Sequence, residues 1–168
     1  LYTAGIAVVW SAGNNGPGAQ TIGNPAMTNN SLVRIMSVGN VNAGSPSFPI
    51  SNDSSRGPSV CGGTGSLLIK PEVCAPGSDV RSSALNGGYQ QLSGTSMAAP
   101  HVAGAVLLLK EAFPNLTGEE ILLALYFSAI DLGPAGEDNT YGMGIINVPA
   151  AYQYLLDEGH EPAPPTEA

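Results

Sequence analysis

The chain has 168 residues, 43% of them hydrophobic and 11% charged, so a buried core is expected and wholesale disorder is excluded. A net charge of −8 and a pI near 4.4 repel phosphate backbones and argue against a nucleic-acid partner. No apolar run reaches the ~18 residues that span a bilayer, so no membrane partner is expected either.

Ile6–Trp10 is β-branched and aromatic and predicts a buried strand, with a loop over Ser11–Gly18. Val33–Val38 reads as a second strand. A Ser/Pro/Gly-rich irregular stretch follows from Asn42 to Lys70, and Glu72–Ala75 reads as a short strand stopped by Pro76-Gly77. A helix should run from near Ser96 to about Ala112. It carries Ala, Val and Leu on nearly every side, which predicts burial all round, with Pro100 near its first turn. Thr117 and Glu120 form a capping box for a second helix, and a third, shorter one should start after Asn147. Gly159–Ala168 is rich in Pro and Glu and reads as a tail or linker, leaving 1–158 as the domain. Strands alternating with helices in this way predict an α/β domain.

Ten of the thirteen acidic residues follow Lys110, and no lysine or arginine does, which reads as a solvated acidic surface. Cys61 and Cys74 could pair in a secreted protein or stay as two free thiols; neither has the CxxC spacing of a zinc site. The chain opens on Leu1 and not on a methionine, which reads as processing or as a piece of a longer gene product.

The residues that carry chemistry centre on Gly94-Thr95-Ser96-Met97-Ala98-Ala99-Pro100-His101. A serine after a glycine turn, at the start of an apolar helix, sits at the positive end of the helix dipole. Its own N–H is not needed by the helix and can bind an oxyanion. Taken alone, Thr95 and Ser96 would be capping residues. Asn14, in Gly13-Asn14-Asn15-Gly16, would alone be a turn residue.

Together these segments resemble the subtilisin-like (subtilase) family. Gly94–Gly104 matches the family's nucleophile motif throughout, and Val8–Gly16 is similar to the strand and loop that carry its oxyanion-hole asparagine. Ser54–Pro58, Lys70–Val73, Ala75–Gly77 and Tyr141–Asn147 are further family-like segments, so the resemblance runs over roughly residues 5 to 157. It implies a three-layer fold with a mostly parallel sheet flanked by helices. It implies a serine endopeptidase acting on peptide or protein substrates, with Ser96 as nucleophile and Asn14 in the oxyanion hole. Ser11, Ala12 and Gly13 would form one wall of the substrate pocket, Gly23 its floor, and Asn24–Pro25 would be a cis peptide. The chemistry needs no cofactor. The resemblance allows structural calcium, one family site using carbonyls of the loop at about Ala26–Asn30, although no calcium-loop pattern is present. Secretion is the implied location.

The hydroxyl needs a base, a histidine oriented by a carboxylate. His101 lies five residues after Ser96 on one helix and faces another way, and the resemblance makes it a buried structural residue. His160 sits in the Pro/Glu tail and reads as solvated. Asp53, Asp79 and Asp131 lie in no family-like acid motif. The family order is Asp, then His, then Ser, so the expectation is that both partners lie upstream, in a missing N-terminal half, and that this chain alone is inactive. The alternatives are a non-catalytic binding scaffold, or a proprotein-maturation protease in place of a degradative one.

Overall fold

The computed structural model describes residues 1–164; the last four residues of the expected tail lie outside them. Three strands form a parallel sheet in the order β1 (Val9–Ser11), β2 (Met36–Val41), β3 (Val73–Pro76). In register, Val9 faces Met36 and Val38 faces Val73. β2 is buried on both faces, as a central parallel strand must be. Pairing at the far side of β3 continues through a parallel bridge from Cys74 to Ile145.

α1 (Thr95–Ala112) lies along the sheet, and α2 (Gly118–Phe127) and α3 (Val148–Asp157) pack on it. Val38, Val73 and Ala75 meet Ala98, Val102 and Leu109 of α1, with Ile121, Leu125 and Leu155 behind them. On the opposite face Val41, Cys74 and Ile145 form a smaller cluster with Phe48, Ile50 and Tyr141. Burial of the Cys74 side chain pushes its thiol pKa up, and nearby Asp138 adds to that. Both cysteines are free, Cys61 exposed and Cys74 buried.

The capping box forms as expected. The Thr117 hydroxyl accepts from the Glu120 N–H at 3.3 Å, and Glu120 Oε2 accepts from the Thr117 N–H at 2.6 Å. The Thr117 N–H and hydroxyl, both donating to that oxygen, hold the Glu120 carboxyl below its ordinary range.

Four expectations need correction. The first strand is Val9–Ser11, shorter than Ile6–Trp10, and the second begins at Met36, not Val33. Residues 31–35 are a bend, and the Ile35 carbonyl is turned to the Lys70 ammonium at 3.4 Å. An antiparallel hairpin of β4 (Val80–Ser83) and β5 (Tyr89–Leu92) was not foreseen, because its mostly exposed strands carry no apolar alternation. Pro100 falls near the first turn of α1, as expected, as its sixth residue, so the Ser96 carbonyl has no amide four residues on. Finally, α1 is not buried all round: Leu107 is 70% exposed and Leu108 60%.

Candidate active site

Ser96 is exposed in the first turn of α1, and Thr95 beside it is fully buried. The turn before the helix is Gly94, with φ 145°. An L side chain is strained there, and a Cβ would come within 3.2 Å of Asn14 Nδ2. Gly94 therefore lets the Asn14 loop approach the turn before Ser96 closely. Its N–H donates to the Gly77 carbonyl at 2.8 Å, which ties the turn to the end of β3.

Thr95 joins the two segments. Its backbone N–H donates to Asn14 Oδ1 at 3.0 Å. Its hydroxyl donates to the same oxygen, also at 3.0 Å, and accepts from the Gly13 N–H at 3.1 Å. A backbone N–H can only donate, so the atom of Asn14 facing Thr95 must be the carbonyl oxygen. The Nδ2 group is thereby turned away from Thr95, beside Gly94. Neither Thr95 nor Ser96 caps the helix through its side chain; Gly94 is the capping residue.

Ser55 supports the loop from behind. Its N–H donates to the Gly13 carbonyl at 2.9 Å and its hydroxyl accepts from the Asn15 N–H at 3.1 Å. Thr95 and Ser55 are residues whose supporting roles the sequence did not reveal. Thr95 is masked by its resemblance to a cap, and Ser55 acts from 40 residues away.

The expected wall and floor residues also meet. The Ala12 N–H donates to the Val38 carbonyl at 3.0 Å, extending the sheet past Ser11. The Gly23 N–H donates to the Ala12 carbonyl at 3.0 Å, and the Met27 N–H donates to the Gly23 carbonyl at 3.0 Å. Ala12, Ile22 and Ala26 form a small buried cluster under this loop. A Cβ added at Gly23 would find only the Ala12 carbonyl within 4 Å, at 3.9 Å, so Gly23 borders open space. The Asn24–Pro25 bond is cis, as are those before Pro17, Pro58 and Pro71.

His101 and Ser96 border the same open groove of about 320 Å³, together with Arg81, Met97 and Pro100. His101 Nδ1 pairs with the Met97 carbonyl at 2.9 Å on its own helix, which places Nδ1–H as donor. His101 is exposed, not buried as expected, because that side of α1 has no cover among the described residues. His160 is half-buried, and its N–H donates to the Leu155 carbonyl at 3.0 Å. Asp79 accepts from the Ser93 hydroxyl at 3.3 Å, and Asp131 accepts from the Gly136 N–H at 2.8 Å. Among the described residues no three His, Cys, Asp or Glu side chains gather as a metal site, and no helix is long and apolar enough to cross a membrane.

The subtilase family model matches residues 2–144. Subtilisin DY of Bacillus licheniformis is 38% identical over 154 residues, covering 90% of this chain and 48% of that protein. An extracellular serine protease of Serratia marcescens is 36% identical over 110 residues, 52% of this chain and 10% of that protein. Among solved structures, the S41 psychrophilic protease superposes with a TM-score of 0.76 at 29% identity, covering 88% of this chain and 50% of that one. The chain thus spans about half the length of subtilisin DY or less of such relatives. With a family match over most of its length and a subtilisin-like α/β fold, the chain belongs to the subtilase family.

Proposed function

We propose that this chain is the nucleophile-bearing part of a serine endopeptidase that cleaves peptide bonds in extracellular peptide or protein substrates. The observation that carries this reading is the orientation of the Asn14 amide. Two donors from Thr95 hold its oxygen, which leaves the Nδ2 group as a pre-set donor beside Gly94, two residues before Ser96.

In the reaction, Ser96 Oγ attacks the substrate carbonyl carbon and its proton passes to an imidazole supplied from outside these 168 residues. The carbonyl oxygen takes the negative charge and is held by Asn14 Nδ2 and the Ser96 N–H. An amide suits this task because it donates without ionising. The tetrahedral adduct collapses, the imidazolium gives its proton to the leaving amine, and Ser96 carries the acyl group until water removes it by the same steps in reverse. Ser11–Gly13 form one wall of the pocket for the residue before the scissile bond, with Gly23 at its floor. His101 takes no part, since it lies five residues after Ser96 on α1, where helix neighbours are three or four apart.

Support for an extracellular setting comes from the Serratia relative named for it. The test is a fluorophosphonate probe on the full-length protein. Labelling at Ser96 that disappears in Ser96→Ala is the expected result. Folded full-length protein that fails to label would instead fit a binding scaffold and sink the enzyme reading. The 168-residue chain by itself should label poorly, for want of a base.

A further inference from the structure

The loop after Gly23 is the one whose carbonyls the family resemblance would offer to a calcium ion. The residues present do not fit that ion. Calcium takes six to eight oxygens. Here the Met27 carbonyl accepts from the Ser59 hydroxyl at 2.6 Å, and the Thr28 carbonyl accepts from Lys70 Nζ at 3.1 Å. The Gly23 and Pro25 carbonyls accept from the Met27 and Thr28 N–H groups, each at 3.0 Å. A resident ammonium on the Thr28 oxygen repels any second cation there.

Lys70 is fully buried, which is rare for a lysine. An ammonium has three N–H donors and no acceptor. Lys70 Nζ finds three oxygens: the Thr28 carbonyl, the Ile35 carbonyl and Glu72 Oε1. The other oxygen of Glu72 accepts from both the N–H and the hydroxyl of Ser37, each at 2.6 Å. All the protons of the cation and both oxygens of the anion are therefore engaged, the condition under which a buried pair is sustained. The oxygens come from the loop, from the approach to β2 and from the residue before β3.

We propose that Lys70 is the built-in cation of this loop: its ammonium occupies an all-oxygen cage and fixes the segment from Gly23 to Ser37 without a metal ion. A side chain in place of an ion makes the pocket-floor loop independent of calcium supply. The inference concerns the loop alone and holds or fails whether or not Ser96 is a nucleophile.

Amide hydrogen exchange across residues 26–37 of the folded full-length protein tests it locally. In the wild type the exchange rates should be the same in millimolar calcium chloride and in EDTA. A tenfold or greater slowing by calcium in that segment would overturn the proposal. Lys70→Ala leaves Glu72 buried without its partner and should speed exchange there by about 10²–10³-fold. The four atoms it removes beyond Cβ correspond to n-propylammonium, so that ion should restore slow exchange, while tetramethylammonium, which has no N–H donor, should not. Equal rescue by both ions, or rescue by calcium alone, would refute an ammonium cage. Should Lys70→Ala fail to fold, Lys70→Met combined with Glu72→Gln removes both charges, and the wild-type calcium comparison still decides.

Discussion

Two stretches of α1 lie within four turns of each other and differ in what the chain provides for them. At the N-terminal turn, Gly13, Asn14, Thr95 and Ser55 bond one another across three separate segments, and Gly94 is tied to Gly77. Farther along, Leu107 and Leu108 stand exposed over an open trough of about 680 Å³ bordered by Pro76, His101, Gly104 and Ile146. At the sheet edge, Ile6 is 49% exposed and Trp10 40%. The difference separates two requirements of the proposed chemistry. The geometry of the oxyanion donor is local and made by short-range hydrogen bonds within the chain. The apolar flank is a surface of the kind that is normally covered, and it adjoins the groove beside Ser96 where a base would have to stand.

The largest effect is expected where the local network meets the chemistry. Asn14→Leu keeps the branched heavy-atom skeleton and removes the donor together with the oxygen that accepts from Thr95. Under the proposed activity, kcat of the full-length protein should fall about 10²–10³-fold with KM little changed, the size known for loss of such a donor in subtilisin itself. Steady-state kinetics on a peptide substrate read it directly. A fall in KM affinity with kcat intact would place Asn14 in substrate binding and not in transition-state stabilisation.

The flank gives the next largest effect. The isolated 168-residue chain should be marginally stable or self-associate through Leu107 and Leu108. Burying one leucine is worth about 1.5–3 kcal/mol, so Leu107→Lys should weaken self-association by about 10–100-fold. Sedimentation velocity over a concentration series measures this. A sharp, two-state unfolding transition of a monomeric wild-type chain would remove the basis for contrasting the two regions.

The same contrast explains how much could be read in advance. The glycine turn and helix start at Ser96 were legible because they are written in contiguous residues: Gly94, Ser96 and the apolar run behind them. The capping box of Thr117 and Glu120 and the start of α3 at Asn147 were legible for the same reason. Strand bounds were less so. Val33 is apolar and fully buried, yet it precedes β2, because burial there comes from its place in the main hydrophobic core and not from a ladder. The exposure of Leu107 and His101 could not be read from α1 at all. An all-apolar helix states that its sides want cover, not that the cover is within the same 168 residues. Thr95 was hidden differently. Its pattern fits a helix cap, and only the approach of a loop 81 residues away gives it another task.

Thr95→Val sharpens the comparison with the smallest of these effects. Valine keeps the β-branched shape of the buried side chain, so packing against its neighbours is preserved. The hydroxyl bond to Asn14 Oδ1 is lost, and the Gly13 N–H loses its acceptor. The Thr95 N–H still holds the amide oxygen, so Asn14 is loosened but not released. A net hydrogen bond is worth about 0.5–1.5 kcal/mol, which converts to roughly a two- to tenfold fall in kcat if it is expressed wholly in the transition state. Thr95→Ser, which keeps the hydroxyl, should retain most of the rate. A purely structural role predicts a different pattern, in which Thr95→Val lowers the unfolding temperature and leaves kcat per folded molecule unchanged. Equal losses in the Val and Ser variants would show that the methyl group, not the hydroxyl, sets the geometry of the turn.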